Sequence, residues 1–102
     1  MDNNELINRI GFIRNRANLS ARKISMEIGK NECYIHRLET SKTFASTFET
    51  LMDILEACNT TTEEFFYYNI SAYKQDEEIL KLLETASPEK KTAIISLLKL
   101  KQ

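Results

Sequence analysis

Glycine and proline are nearly missing from this chain: two Gly, at 11 and 29, and one Pro, at 88, in 102 residues. So few breakers exclude collagen-like repeats and a series of tight hairpins, and they speak against disorder. Cysteine and histidine are equally scarce. Cys33 and Cys58 lie 25 positions apart with no CxxC pair, and His36 is the single histidine. Neither a zinc site nor a disulfide framework is expected from them, only two free thiols. No long apolar run exists either. The richest stretch, residues 93–100, is interrupted by Ser96 and Lys99 and falls far short of the ~20 residues that cross a bilayer. Met1, Asp2, Asn3, Asn4 and Glu5 supply no basic start and no apolar core of a secretory signal, so a cytoplasmic protein with no membrane partner is expected. There is no Gly-rich phosphate loop, no metal-ligand cluster and no nucleophile beside a histidine. An enzyme is therefore not expected, and no catalytic residue, metal or cofactor is assigned.

What the chain does have is an ordinary folded-protein balance, 42% hydrophobic and 28% charged. Its length suits one core with a short extension. The net charge of −1 hides an uneven distribution. Residues 9–42 hold eight basic residues (Arg9, Arg14, Arg16, Arg22, Lys23, Lys30, Arg37, Lys42) against three acidic ones (Glu27, Glu32, Glu39), a net of +5. Residues 43–102 hold six basic and ten acidic, a net of −4. A basic half beside an acidic half suits phosphate contact on one side only.

Apolar spacing predicts seven helices and no strand, an all-α chain. Leu6, Ile10 and Ile13 mark the first, over about residues 4–17, closed by Asn18, which tolerates the left-handed conformation. Ser20 caps the second, with Ile24 and Ile28 inward and Gly29 as terminator. Asn31 caps the third, over 31–39, with Ile35 and Leu38 inward. Ser46 with Glu49 reads as a capping box for a fourth, whose apolar face is Phe48, Leu51, Ile54 and Leu55, and Asn59 stops it. Thr61 with Glu64 is a second box, opening a fifth helix through Phe65 and Phe66. The aromatic run from Phe65 to Tyr68 follows two glutamates, so core packing is expected of it rather than base stacking. Residues 1–68 then form one domain and 69–74 a polar linker. Residues 75–102 form a helical hairpin, with Ile79, Leu82 and Leu83 on one helix and Ile94, Leu97, Leu98 and Lys101 on the next. Ser87, Pro88 and Glu89 open that last helix as cap, first-turn proline and dipole-matched carboxylate.

Two short helices around Gly29, in the basic third of the chain, have the layout that sends a helix into the major groove. The residues in and around them resemble the lambda-repressor-like, or Cro/repressor-type (XRE), helix-turn-helix family. The resemblance covers residues 10–66 and rests on Ile13 and Arg14, Leu19 and Ser20, Ile24 and Ser25, Ile28 and Gly29, Ile35, Arg37 to Glu39, the loop 40–45, Ser46, Leu51, Asn59 and Phe65. It implies a five-helix DNA-binding domain in which helix 31–39 reads bases and the helix after Ser20 crosses the backbone. It also implies an ion pair between Arg14 and Glu39 that ties the first helix to the third. The family commonly has Gln after the Ser20 position where this chain has Ala21, leaving Arg22 to supply that contact.

With Ile35 and Leu38 inward, Glu32, Cys33, His36 and Arg37 remain outward as base-reading candidates. Arg37 suits guanine or a phosphate. Glu32 suits cytosine N4 or simply the helix start, and both readings stay open. Cys33 suits a thymine methyl. Backbone clamps are expected from Arg22, Lys23, Lys30, Asn31, Tyr34, Thr40, Ser41 and Lys42, where helix starts and basic side chains converge; for Tyr34 the edge of the core is the alternative. Two isolated C-terminal helices cannot bury both apolar faces, so Ile79, Leu82, Leu83, Ile94, Leu97 and Leu98 are expected to join two copies into a homodimer, with packing onto the same chain as the alternative. The partner is then double-stranded DNA with a palindromic site, and the protein a nucleoid-associated regulator, expected to be a repressor. A second reading stays open: a protein-interaction module, such as an antitoxin or antagonist, holding another protein with its C-terminal helices.

Overall fold

A computed structural model describes residues 1–41 and 43–100; Lys42, among the expected backbone clamps, and Lys101, placed on the last apolar face, lie outside the described residues. The described residues are helical, with no strand. Seven α-helices follow in order: α1 Asn3–Arg16, α2 Ala21–Glu27, α3 Tyr34–Thr40, α4 Phe48–Ala57, α5 Thr62–Phe65, α6 Tyr73–Glu84 and α7 Pro88–Leu98, with a 3-10 turn at Ile70–Ala72 before α6. The chain divides into two compact units, Met1–Ile70 and the residues from Ser71 onward.

Local chemistry sets most helix ends. Asp2, Ser20, Thr47, Thr61 and Ser87 each accept a backbone N–H of the following first turn through a side-chain oxygen, supplying the partner that those early amides lack. Three helices close the same way. Asn18 (φ 59°), Gly29 (φ 74°) and Asn59 (φ 52°) adopt the left-handed conformation. After each, the next amide reaches back into the last turn: Leu19 to Arg14 O, Lys30 to Ser25 O and Thr60 to Leu55 O. With the Asn18, Gly29 and Asn59 amides donating to Asn15 O, Met26 O and Glu56 O, they make the paired bonds of a Schellman closure.

Three expected starts are corrected. The third helix begins at Tyr34 rather than Asn31. The Asn31 carboxamide accepts the Cys33 N–H at 2.9 Å, and Asn31 O accepts the Tyr34 N–H at 2.9 Å; asparagine has here formed a local turn instead of a cap. Glu32 and Cys33 thus precede the helix, and Thr40, expected in the loop, is its last residue. The fourth helix is capped by Thr47, whose hydroxyl accepts the Thr50 N–H at 3.1 Å, while Ser46 is taken by the Tyr34 hydroxyl. Phe48, the first residue of α4, is 70% exposed instead of lying on the apolar face. In the fifth, Thr61 caps as expected, but the Glu64 carboxylate binds Arg16 and so does not close the box. The sixth starts at Tyr73, inside the stretch expected to be linker.

The core of the first unit is Ile10 and Ile13 from α1, Ile24, Ile35, Leu38, Leu51, Ile54 and Leu55 from the next three helices, and Cys58 and Phe65. Burying an aliphatic side chain of this size contributes about 1.5 to 3 kcal/mol, and five isoleucines here are wholly inaccessible. Of the aromatic run only Phe65 is core; Phe66 and Tyr68 are exposed. The segment is held by its backbone instead. The buried Arg9 guanidinium donates to Phe65 O at 2.6 Å, to Tyr68 O at 3.3 Å and to Tyr67 O. In the second unit neither α6 nor α7 has a buried residue, and no described helix is long and apolar enough to cross a membrane.

Candidate nucleic-acid interface

The pair α2 and α3 is fixed by one small polar residue. Ser25, fully buried, donates its hydroxyl to Ala21 O at 2.7 Å and accepts the Ile35 N–H at 2.9 Å. Ile35 is the second residue of α3, so its amide has no partner within the helix, and Cys33 at the cap position offers no side-chain bond. A hydroxyl from α2 therefore caps α3. Ser25 is among the residues that carry the resemblance, but this capping role is not expected from the sequence. Its signal was a small polar residue beside inward Ile24, on the face that also carries Ile28.

A second tie holds the far end of α3. Arg14 grips Glu39 with two parallel bonds, Nε to Oε2 at 2.6 Å and a terminal nitrogen to Oε1 at 2.9 Å, and donates a third to Leu19 O at 3.1 Å. This is the ion pair implied by the resemblance. The carboxylate bond raises the Arg14 pKa above its ordinary value, burial opposing it, so the guanidinium stays charged. With α3 anchored at both ends and Ile35 and Leu38 inward, His36 and Arg37 face outward and are exposed. Cys33 is half-buried at the cap, one turn before Arg37, whose N–H it accepts at 2.9 Å. Glu32 is exposed in the turn, where it pairs with Arg22 at 3.2 Å instead of lying on the helix with His36.

The basic tract is thinner at the surface than its count suggests. Arg9, Arg14 and Arg16 are spent inside the unit, on carbonyls or on Glu5, Glu39 and Glu64. Among the described residues, Lys23, Lys30 and Arg37 form no ion pair, and Lys30 sits over the Tyr34 ring, 5.5 Å from its centre. Tyr34 is half-buried with its hydroxyl on Ser46, so it lies at the edge of the core. Asn31 is exposed with its carboxamide committed to the turn. The Thr40 hydroxyl donates back to His36 O at 2.9 Å, and Ser41 bonds both backbone groups of Thr43. Among the described residues of the tract, the cations left without an ion pair are thus Lys23, Lys30 and Arg37.

The other expected contact face lies on the second unit. Ile79 (48%), Leu82 (65%), Leu97 (65%) and Leu98 (78%) are exposed, while Leu83 and Ile94 are half-buried. Between α6 and α7 runs an open groove of about 560 Å³ lined by Ile79, Leu82, Leu83, Ile94 and Leu98 with Lys90 at its edge. Both thiols are free, and burial pushes the Cys58 pKa up to about 11. Among the described residues no group of three or more His, Cys, Asp or Glu is arranged to hold a metal ion. No protein-family model, curated protein or solved structure matches the chain.

Proposed function

We propose that this chain is a lambda-repressor-like helix-turn-helix regulator, a repressor that binds a palindromic double-stranded DNA site as a homodimer. In this reading the first five helices are the DNA-binding domain and α6 with α7 the dimerisation hairpin. The observation that carries it is the Ser25 lock. Two short helices are held together around Gly29 with the second turning His36 and Arg37 outward, and Lys23 and Lys30 are exposed as well. A major groove about 12 Å wide admits one such helix. Arg37 carries base discrimination, worth about 1 to 3 kcal/mol for a good bidentate pair. Lys23 and Lys30 carry phosphate attraction without sequence preference.

The second copy covers the C-terminal face. A two-helix unit with no buried residue among those described gains stability only when another surface covers its leucines and isoleucines. The charges suit a copy of the same unit: α6 carries Asp76, Glu77, Glu78 and Glu84 against Lys74 and Lys81, a net of −2, whereas α7 and the residue after it carry Lys90, Lys91 and Lys99 against Glu89, a net of +2. An acidic helix from one copy can then lie along a basic helix from the other. Two-fold pairing places two reading helices about one DNA turn, ~34 to 36 Å, apart.

Binding of the purified chain to fragmented genomic DNA at increasing salt tests the reading. A small set of retained fragments is expected, with the logarithm of the affinity falling linearly with the logarithm of the salt concentration. Absence of binding at low salt contradicts it.

A further inference from the structure

Four arginine pairs of the first unit differ in what they hold. Arg9, Arg14 and Arg16 meet Glu5, Glu39 and Glu64 with at least one partner substantially buried, and each ties separate elements or carbonyls together. The fourth, Arg22 with Glu32, is open to water on both sides, 71% and 56% exposed, with Arg22 Nε donating to Glu32 Oε2 at 3.2 Å. An exposed pair of this kind contributes little to folding. Its position is what distinguishes it. Arg22 lies in the first turn of α2 and Glu32 in the turn that leads into α3, on the face that the proposed function turns toward DNA.

A lone carboxylate on that face is repelled by phosphates. Paired to a guanidinium, its charge is offset and it can approach a base edge. The bond seen here uses only Nε of Arg22 and one lone pair of Oε2. Oε1 of Glu32 and the terminal nitrogens of Arg22 have no other partner among the described residues. The pair therefore presents an acceptor beside a set of donors. In the major groove guanine and thymine offer this acceptor nothing, and adenine sets its amino group beside the N7 acceptor. Cytosine presents its amino donor with no acceptor of its own on the groove edge, which is the pairing a carboxylate suits.

We propose that Arg22 and Glu32 act as one recognition unit. Glu32 accepts from the N4 amino group of a cytosine, while Arg22 holds that carboxylate and places its terminal nitrogens on the adjacent phosphate. The proposal rests on the DNA-binding reading above and adds to it the base that is read and the residue that positions the reader.

Selection of bound duplexes from a random pool, run in parallel with the full wild-type chain and with Glu32→Gln, Glu32→Ala and Arg22→Ala, tests it. Both residues are exposed, so all three variants are expected to melt as the wild type does. A cytosine in the wild-type consensus should shift toward adenine with Glu32→Gln, since a carboxamide pairs with adenine N6 and N7. With Glu32→Ala the preference at that position should fall roughly tenfold, the rest of the consensus standing. Arg22→Ala should relax the same position and lower the salt slope by about one. An unchanged consensus in both Glu32 variants overturns the cytosine contact, and an unchanged cytosine preference in Arg22→Ala overturns the positioning role. A wild-type chain that enriches nothing removes the DNA-binding reading itself, an outcome distinct from the other two.

Discussion

The hydroxyl of Ser25 caps a helix to which it does not belong, accepting the N–H of Ile35 at 2.9 Å across the α2–α3 turn. Ser25→Ala leaves that amide buried and unpaired, at a cost of about 1 to 3 kcal/mol. For a unit of this size each kcal/mol corresponds to roughly 4 to 8 °C of melting temperature. Thermal denaturation followed by circular dichroism should show that loss, whereas Ser96→Ala on an exposed face of α7 should not. Equal melting of Ser25→Ala and wild type contradicts the lock.

Glu39 is a structural partner of Arg14. Each charge-assisted bond in the bidentate pair contributes on the order of 1.5 to 3 kcal/mol when its partner stays behind unpaired, and the two side chains are only 18% and 19% exposed. Glu39→Ala should therefore lower the melting temperature before it alters which DNA sequence is preferred. A double-mutant cycle with Arg14→Met should return a coupling well above that of an exposed pair. A Glu39→Ala melting point equal to that of wild type contradicts the assignment.

The Cys58 thiol supplies a pH signature. Burial pushes its pKa from 9.0 up to about 11, against the opposing attraction of Arg14 and Arg16. Between those values the folded chain keeps a proton that the unfolded chain has released, so unfolding releases a proton and stability declines with rising pH. The contribution is fully present below about pH 9 and is lost as pH approaches 11. Urea denaturation at pH 8 and pH 10 should show a larger loss for wild type than for Cys58→Ala, and equal losses contradict the assignment.

Leu82 is 65% exposed on a helix with no buried residue, and the proposed second copy covers it. Sedimentation equilibrium should give wild type twice the 11.9 kDa chain mass, and Leu82→Lys the mass of one chain. A wild-type monomer across the concentration series, or a stoichiometric complex with a different protein in place of the homodimer, contradicts this pairing.

Much of the fold was legible because helix ends are local. Asn18, Gly29 and Asn59 are residue types that accept a positive φ, and each closes a helix; Ile35 and Leu38 are inward because their spacing follows the helical period. What was not legible depended on partners distant in sequence or on neighbouring hydroxyls in competition. Asn31 can cap a helix or fold a turn, and the Ser25 hydroxyl decides by capping α3 from outside. Ser46 and Thr47 are both capable caps, and the Tyr34 hydroxyl removes one of them. At the candidate site, the outward positions of His36 and Arg37 follow from periodicity, but the pairing of Arg22 with Glu32 does not. Nor could the spending of Arg9 on carbonyls 56 to 59 residues away be read from charge counting, and that spending is why the surface carries fewer free cations than the tract contains.

The most direct test of sequence-specific binding through α3 is selection of duplex DNA from a random pool by the intact chain, compared with Arg37→Ala. The expected result is a palindromic consensus with half-sites about 10 base pairs apart, less sharply defined at one position of each half-site for Arg37→Ala. No enrichment by the wild-type chain at low salt, or the same consensus from both chains, would contradict it.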